Sequence, residues 1–185
     1  MIPTRQQCLL LFDRYNLPSQ KRIHVEAVTQ LAKYLARKLK SQIPNPKIDE
    51  QLLEAATLLH DIDKNISRNE GERHPEPAVR VLKELDYSEV AEVVARHSLH
   101  CILDPITAPE SWEAKILFLA DKMTKYEVIG VDHRFKLWYR ENLPPAAVLE
   151  LKACYPLVKA LEKELLAAAG ITVSDIEQEF GTTFH

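Results

Sequence analysis

One stretch of this chain places ionisable groups where an apolar helix should carry on. Residues 52–59, Leu-Leu-Glu-Ala-Ala-Thr-Leu-Leu, have the apolar density of a helix that belongs inside a core. That run passes directly into His60-Asp61-Ile62-Asp63-Lys64. A carboxylate at the end of a buried helix is costly unless a partner or an ion offsets its charge. Either this helix frays into water, or it delivers an imidazole and a carboxylate to a built site. What the other helices carry decides between the two.

Helices are expected throughout, because the 185 residues include only 4 glycines and no runs of alternating β-branched residues. Residues 3–15 read as a first helix, with Pro3 in its opening turn and Leu9, Leu10 and Phe12 available for burial. From Ser19, a candidate cap, to Lys40 the pattern is helical, and His24, Ala27, Val28, Leu31 and Leu35 share one face. Asp49 suits the N-cap of the helix that ends at His60-Asp61. After a polar loop over residues 65–73, Pro75 fits the first turn of another helix and leaves His74 at its edge. Ser88 is a candidate cap for a helix on which Val90, Val93, Val94 and His97 form a stripe. Ser111 is a candidate cap for one that aligns Ala114, Leu117, Phe118 and Asp121. Beyond Gly130 come a short helix over 132–141 and a long one from Pro144 to Ala169, with Pro156 as a possible kink. Gly170 stops that helix, and residues 173–180 add a last turn or two.

Composition narrows the function classes. The 46% hydrophobic and 28% charged content is that of a globular protein, and the length suits one domain spanning residues 1–185. A net charge of −3 gives no reason to expect a nucleic-acid partner. No apolar stretch nears the roughly 20 residues that cross a bilayer, and residues 1–7 lead into no signal-peptide apolar region. Three widely spaced cysteines, Cys8, Cys101 and Cys154, argue against a disulfide framework or a cysteine zinc site and suit a reducing cytoplasm. The Leu/Ala-rich C-terminal third reads as core packing or an interface.

Three helices therefore carry an ionisable residue on an apolar face (His24, His97 and Asp121), and a fourth ends in His60-Asp61. Solvation explains any one of them. A single cause explains all of them: the helices converge, and their imidazoles and carboxylates surround a divalent cation whose charge offsets the burial of the anions.

The order His24 … His60-Asp61 … Asp121 resembles the signature of the HD superfamily of metal-dependent phosphohydrolases, H…HD…D on an all-α fold. Leu-Leu-His60-Asp61-Ile-Asp-Lys64 and Phe-Leu-Ala-Asp121-Lys carry the likeness, which covers residues 24–121. It implies a single-domain helical bundle around a buried metal centre, with a metal-binding core over about 19–127 and further helices over 131–185. In HD subgroups with two metals, histidines between the HD pair and the last aspartate hold the second ion, and the HD aspartate bridges both. His74 and His97 occupy that interval, and Lys64 matches a lysine those subgroups tend to carry three residues after the HD aspartate.

The likeness therefore implies His24, His60, Asp61 and Asp121 on one ion and His74 and His97 on the other, with Asp61 shared. Fe, Mn or Zn suit such nitrogen and oxygen donors. Lys64 is expected to contact phosphate in substrate and in the transition state, with a surface lysine past a helix end as the alternative. His100, three residues after His97 on a continuing helix, either touches substrate or caps the helix in solvent. Asp63 faces solvent or orients a ligand histidine.

The chain lacks the His-His-Glu run and Gly-Tyr-Pro loop of the HD-GYP cyclic-dinucleotide phosphodiesterases. In length and spacing it is more similar to the small bacterial group that cleaves diadenosine tetraphosphate symmetrically. It departs from that group at Ser98-Leu99-His100-Cys101 and at Lys122-Met123-Thr124-Lys125-Tyr126-Glu127. The expected function is hydrolysis of a phosphoester or phosphoanhydride bond in a nucleotide or dinucleoside polyphosphate by metal-activated water. Two alternatives stay open: a mononuclear nucleotidase or phosphomonoesterase, and a metal-bound module that senses nucleotides without turnover.

Overall fold

The computed structural model describes residues 1–184, and among them nine α-helices and two short 3₁₀ turns account for the regular structure. α1 (Arg5–Arg14) begins at Thr4, whose hydroxyl accepts from the Gln7 amide while Gln7 reaches back to the Thr4 backbone. This capping box leaves Pro3 outside the helix. Phe12 is buried as expected, but Cys8 and Leu11 share its inward face, whereas Leu9 and Leu10 are exposed.

α2 (Ser19–Gln42) is the spine. Pro18 takes the N-cap position, so Ser19 is the first helical residue rather than a cap. Its apolar face packs against α3 (Glu50–Leu59), α6 (Trp112–Lys122) and α8 (Pro145–Ala169). Asp49 caps α3 by accepting from the Gln51 and Leu52 amides. Thr29 on α2 donates to the Val25 carbonyl and meets the Thr57 hydroxyl of α3 at 3.0 Å, so the two helices are also tied by a buried polar pair. α6 is apolar on every side from Ile116 to Ala120, all fully buried, which makes it the central rod of the bundle. Ser111 caps it through the Ala114 amide.

The connections around α3 shape the site. Helical geometry tightens after Leu59 into a 3₁₀ turn over Ile62–Asn65. α4 (Glu76–Glu84) has Pro75 at its N-cap and Pro77 in its first turn, one position on from the expected arrangement. α5 (Ser88–Ala95) starts at Ser88, with Tyr87 at the cap, and the chain then turns through His97 into a 3₁₀ segment at Leu99–Leu103. α7 is Gly130–Tyr139, two residues earlier than the sequence suggested. α8 runs unbroken through Pro156 and ends at Gly170 in the left-handed conformation. α9 (Val173–Phe180) is fixed by a Thr172–Asp175 capping box and by the Phe180 ring against Tyr34.

Candidate metal centre

Four imidazoles and two carboxylates arrive at one place from five parts of the bundle. His24 comes from the second turn of α2, and His60 and Asp61 from the end of α3. His74 precedes α4, His97 follows α5, and Asp121 lies in the last turn of α6. His24, His60, Asp61 and His97 are all buried. The sequence placed all six in one site, and the structure brings all six together.

The hydrogen bonds at the rear of each ring set its orientation. Nδ1 of His24 donates to the Lys125 carbonyl at 2.7 Å, that of His60 to Thr57 at 2.8 Å and that of His97 to Val94 at 2.6 Å. Nδ1 of His74 faces both oxygens of the buried Asp63 carboxylate. Carbonyls only accept, so Nδ1 of His24, His60 and His97 must carry the proton. The two Asp63 oxygens favour the same tautomer for His74, whose Nδ1 also lies 3.3 Å from the Lys64 ammonium. In a neutral ring the lone pair then lies on Nε2.

All four Nε2 atoms point into the cluster. His24 and His60 bring theirs to 3.3 Å, and His74 and His97 to 3.0 Å. Two lone pairs that close repel unless a proton or a metal ion lies between them. This is the arrangement of metal-ligating histidines whose far nitrogen is held by an outer partner.

The carboxylates complete it. Asp121 Oδ1 is 3.0 Å from His24 Nε2 and 3.6 Å from His60 Nε2. Asp61 stands between the two histidine pairs, with one oxygen 3.9 Å from His24 and the other 3.6 Å from His74. Three triads have donor atoms within 4.8 Å of one another: His24–His60–Asp121, His60–Asp61–His97 and Asp61–Asp63–His74. His60 and Asp61 each belong to two triads, so the donors form one continuous set that can hold a divalent cation at more than one position. The donor chemistry, nitrogen and oxygen without thiolate, fits such an ion.

Charge balance follows from the same geometry. Burial drives the Asp61 and Asp121 carboxyls up, but nearby cations outweigh it and hold both well below the ordinary carboxylate range. For Asp61 these are His60, Lys64 and Lys21; for Asp121 they are led by Lys122, followed by bonds from His24 and His60. Burial likewise lowers the His60 imidazolium, yet Asp61 and then Asp121 leave it raised above its ordinary value. His97 goes the other way: burial, then His60, His74 and Lys122, push it well down. Within one ring cluster His60 and His97 thus shift in opposite directions.

Two clefts open beside these groups, of about 310 and 360 Å³, and Lys21, His24, Lys64 and Arg134 line both. Lys64 sits on Asp61 at 2.9 Å, and its Nζ is also 3.3 Å from His74. His100, on the 3₁₀ turn rather than on a continued α5, lines the cleft that also contains Asp61 and Asp121.

Lys122, which the sequence offered as a partner for Asp121, and several residues not foreseen complete the walls. Lys21 bonds Asp61 at 2.8 Å. Lys122 is buried, bonded to Asp121 and to the His97 carbonyl. Arg134, Trp138 and Glu150 come from α7 and α8. Only Lys122 left a trace in the sequence, as the neighbour of a ligand candidate.

The HD domain family model matches residues 22–126, more than half of the chain. The chain belongs to the HD domain family. No match was found among curated proteins or among solved structures. HD domains are generally metal-dependent hydrolases on an all-α fold, and the helical bundle and the histidine–aspartate cluster agree with that. The matched HD segment contains all six clustered residues together with Lys64 and His100, and it ends before α7.

Proposed function

We propose that this HD domain protein is a phosphohydrolase that cleaves a phosphoester or phosphoanhydride bond in a nucleotide or dinucleoside polyphosphate. The observation that carries the reading is the pairing of Nε2 atoms at 3.3 and 3.0 Å around a shared Asp61. Two such pairs support two ions rather than one. His24, His60, Asp61 and Asp121 hold the first, and Asp61, His74 and His97 the second. Bound there, divalent ions of the Fe, Mn or Zn type supply Lewis acidity and an activated water at neutral pH.

The protein's own groups do the rest. Lys64 and Lys21 line both clefts beside Asp61 and neutralise charge that develops on the phosphoryl oxygens. Burial, and after it the Arg73 charge, lower the His100 imidazolium, so its ring is free to accept a hydrogen bond from substrate near pH 7. Asp63 holds the His74 ring in register. We read residues 1–185 as one domain, and the partner as a small phosphorylated molecule rather than nucleic acid. Among the described residues no helix is long and apolar enough to cross a membrane, and the three cysteines are unpaired and buried, which supports a reducing, cytoplasmic setting.

The test combines metal analysis of protein purified without chelator with a nucleotide panel assayed with Mn, Fe, Co and Mg. About two ions per chain and turnover of at least one nucleotide support the reading. Binding without turnover in every metal replaces it with the sensing module.

A further inference from the structure

We infer that Arg134 and Trp138 of α7, outside the matched HD segment, form a second phosphate subsite. It receives a phosphate of the substrate other than the one at the metal centre. The inference rests on the phosphohydrolase reading for its setting, and it names a substrate class: molecules with two or more linked phosphates.

The charges around the cleft single out Arg134. Four Lys and Arg side chains line the cleft that holds Asp61 and Asp121. Lys21 and Lys64 are paired with Asp61, and Lys122 with Asp121. Among the described residues Arg134 makes no ion pair, although Glu150 and Glu141 line the same two clefts. Its Nε–H is buried and bonded to no protein group, so the guanidinium is not tied to a neighbouring acceptor.

The side chain is also pre-positioned. The guanidinium lies over the Trp138 ring, 4.4 Å from its centroid, and Trp138 packs edge-on against the buried Phe135 at 5.0 Å. An aromatic floor fixes the plane of the guanidinium, and a fixed fork of N–H donors matches two phosphate oxygens at once. Arg134 contacts neither Asp61 nor Asp121, yet it lines both clefts beside them. A phosphate seated on it is therefore a neighbour of the metal-centre phosphate and not the same one.

Binding to the metal-loaded protein tests this with two ligands that are not turned over. Orthophosphate probes the metal centre, and α,β-methylene ADP, whose P–C–P bridge resists hydrolysis, spans both positions. Calorimetry gives the affinities, and far-UV circular dichroism checks that each variant is folded. Arg134→Ala should weaken α,β-methylene ADP by about tenfold and leave orthophosphate within about twofold. Arg134→Lys, which keeps the charge but loses the fork, should fall between. Unchanged α,β-methylene ADP affinity in Arg134→Ala overturns the subsite, and so does an equal loss for both ligands. Failure of the wild-type protein to prefer the diphosphate overturns it too. Because no step needs turnover, a protein that hydrolyses nothing would refute the phosphohydrolase reading while leaving the Arg134 result to stand or fall by itself.

Discussion

Asp63 faces Nδ1 of His74 with both carboxylate oxygens, at 2.9 and 3.0 Å, and is itself only 3% exposed. Two residues after the HD aspartate, it thus controls a histidine eleven residues further along. His74 is the most exposed of the four clustered imidazoles, with a quarter of its side chain open, so it depends most on a partner for its orientation. Asp63→Ala should weaken binding at the second ion by about 10- to 100-fold. Asp63→Asn, which keeps an acceptor oxygen, should retain more. Metal content after dialysis against graded chelator measures both, and wild-type retention in Asp63→Ala would separate His74 from the metal centre.

Asp61 is shared between the two histidine pairs, so its removal should affect both ions. Asp61→Ala is expected to lose metal and turnover together. His97→Ala should lose one ion of two. Metal stoichiometry by elemental analysis distinguishes these outcomes: full activity in Asp61→Ala contradicts the shared-ligand arrangement, and unchanged stoichiometry in His97→Ala removes that residue from the site.

Metal uptake should strengthen as pH rises towards the raised His60 pKa. The folded protein raises the His60 pKa above 6.5, because Asp61 and Asp121 overcome the effect of burial. An incoming ion must displace that proton, so affinity should climb by up to about tenfold per pH unit below the raised pKa. In chelator-treated protein the sign reverses for stability. The His60 contribution is complete below 6.5 and disappears as pH rises through the folded pKa. Calorimetric titration with Mn at several pH values, beside thermal unfolding with and without metal, checks both directions.

Gly130 opens α7 at φ +78°, and a Cβ there would lie 2.5 Å from the Phe184 ring. Gly130→Ala combines left-handed backbone strain with a collision, so it should destabilise the fold by about 1–3 kcal/mol. Denaturant unfolding of chelator-treated protein measures this apart from metal binding. Because Gly130 starts the helix that carries Arg134, affinity for α,β-methylene ADP should fall more than affinity for orthophosphate.

The residues legible in the sequence were those that broke a pattern. His24, His97 and Asp121 interrupt apolar faces of period 3.6, and His60-Asp61 ends an apolar run, so each stood out against local expectation. Asp63 left two readings open, because a carboxylate on a short turn can face either way; its burial against His74 settled it. Lys21 and Arg134 were invisible for the opposite reason: a basic residue on an amphipathic helix is ordinary. The partner of Lys21 lies 40 residues away just past the end of α3, and Arg134 is defined by a cleft that exists only once α7 packs against α6 and α8.

Fold class and five of the six clustered residues were thus legible in periodicity, which is local and written in residue spacing, whereas His74 was offered only by the resemblance to the HD superfamily. Cap positions moved by a residue at Ser19, Pro75 and Ser88, since neighbouring positions compete closely for the same role. Tertiary structure alone decided which nitrogen of each histidine faces inward, because that depends on carbonyls and carboxylates presented by neighbouring turns and other elements. It also decided which cations are tied to ligand carboxylates and which one is left facing the cleft. Those relations depend on distances between remote segments, and no spacing along the chain encodes them.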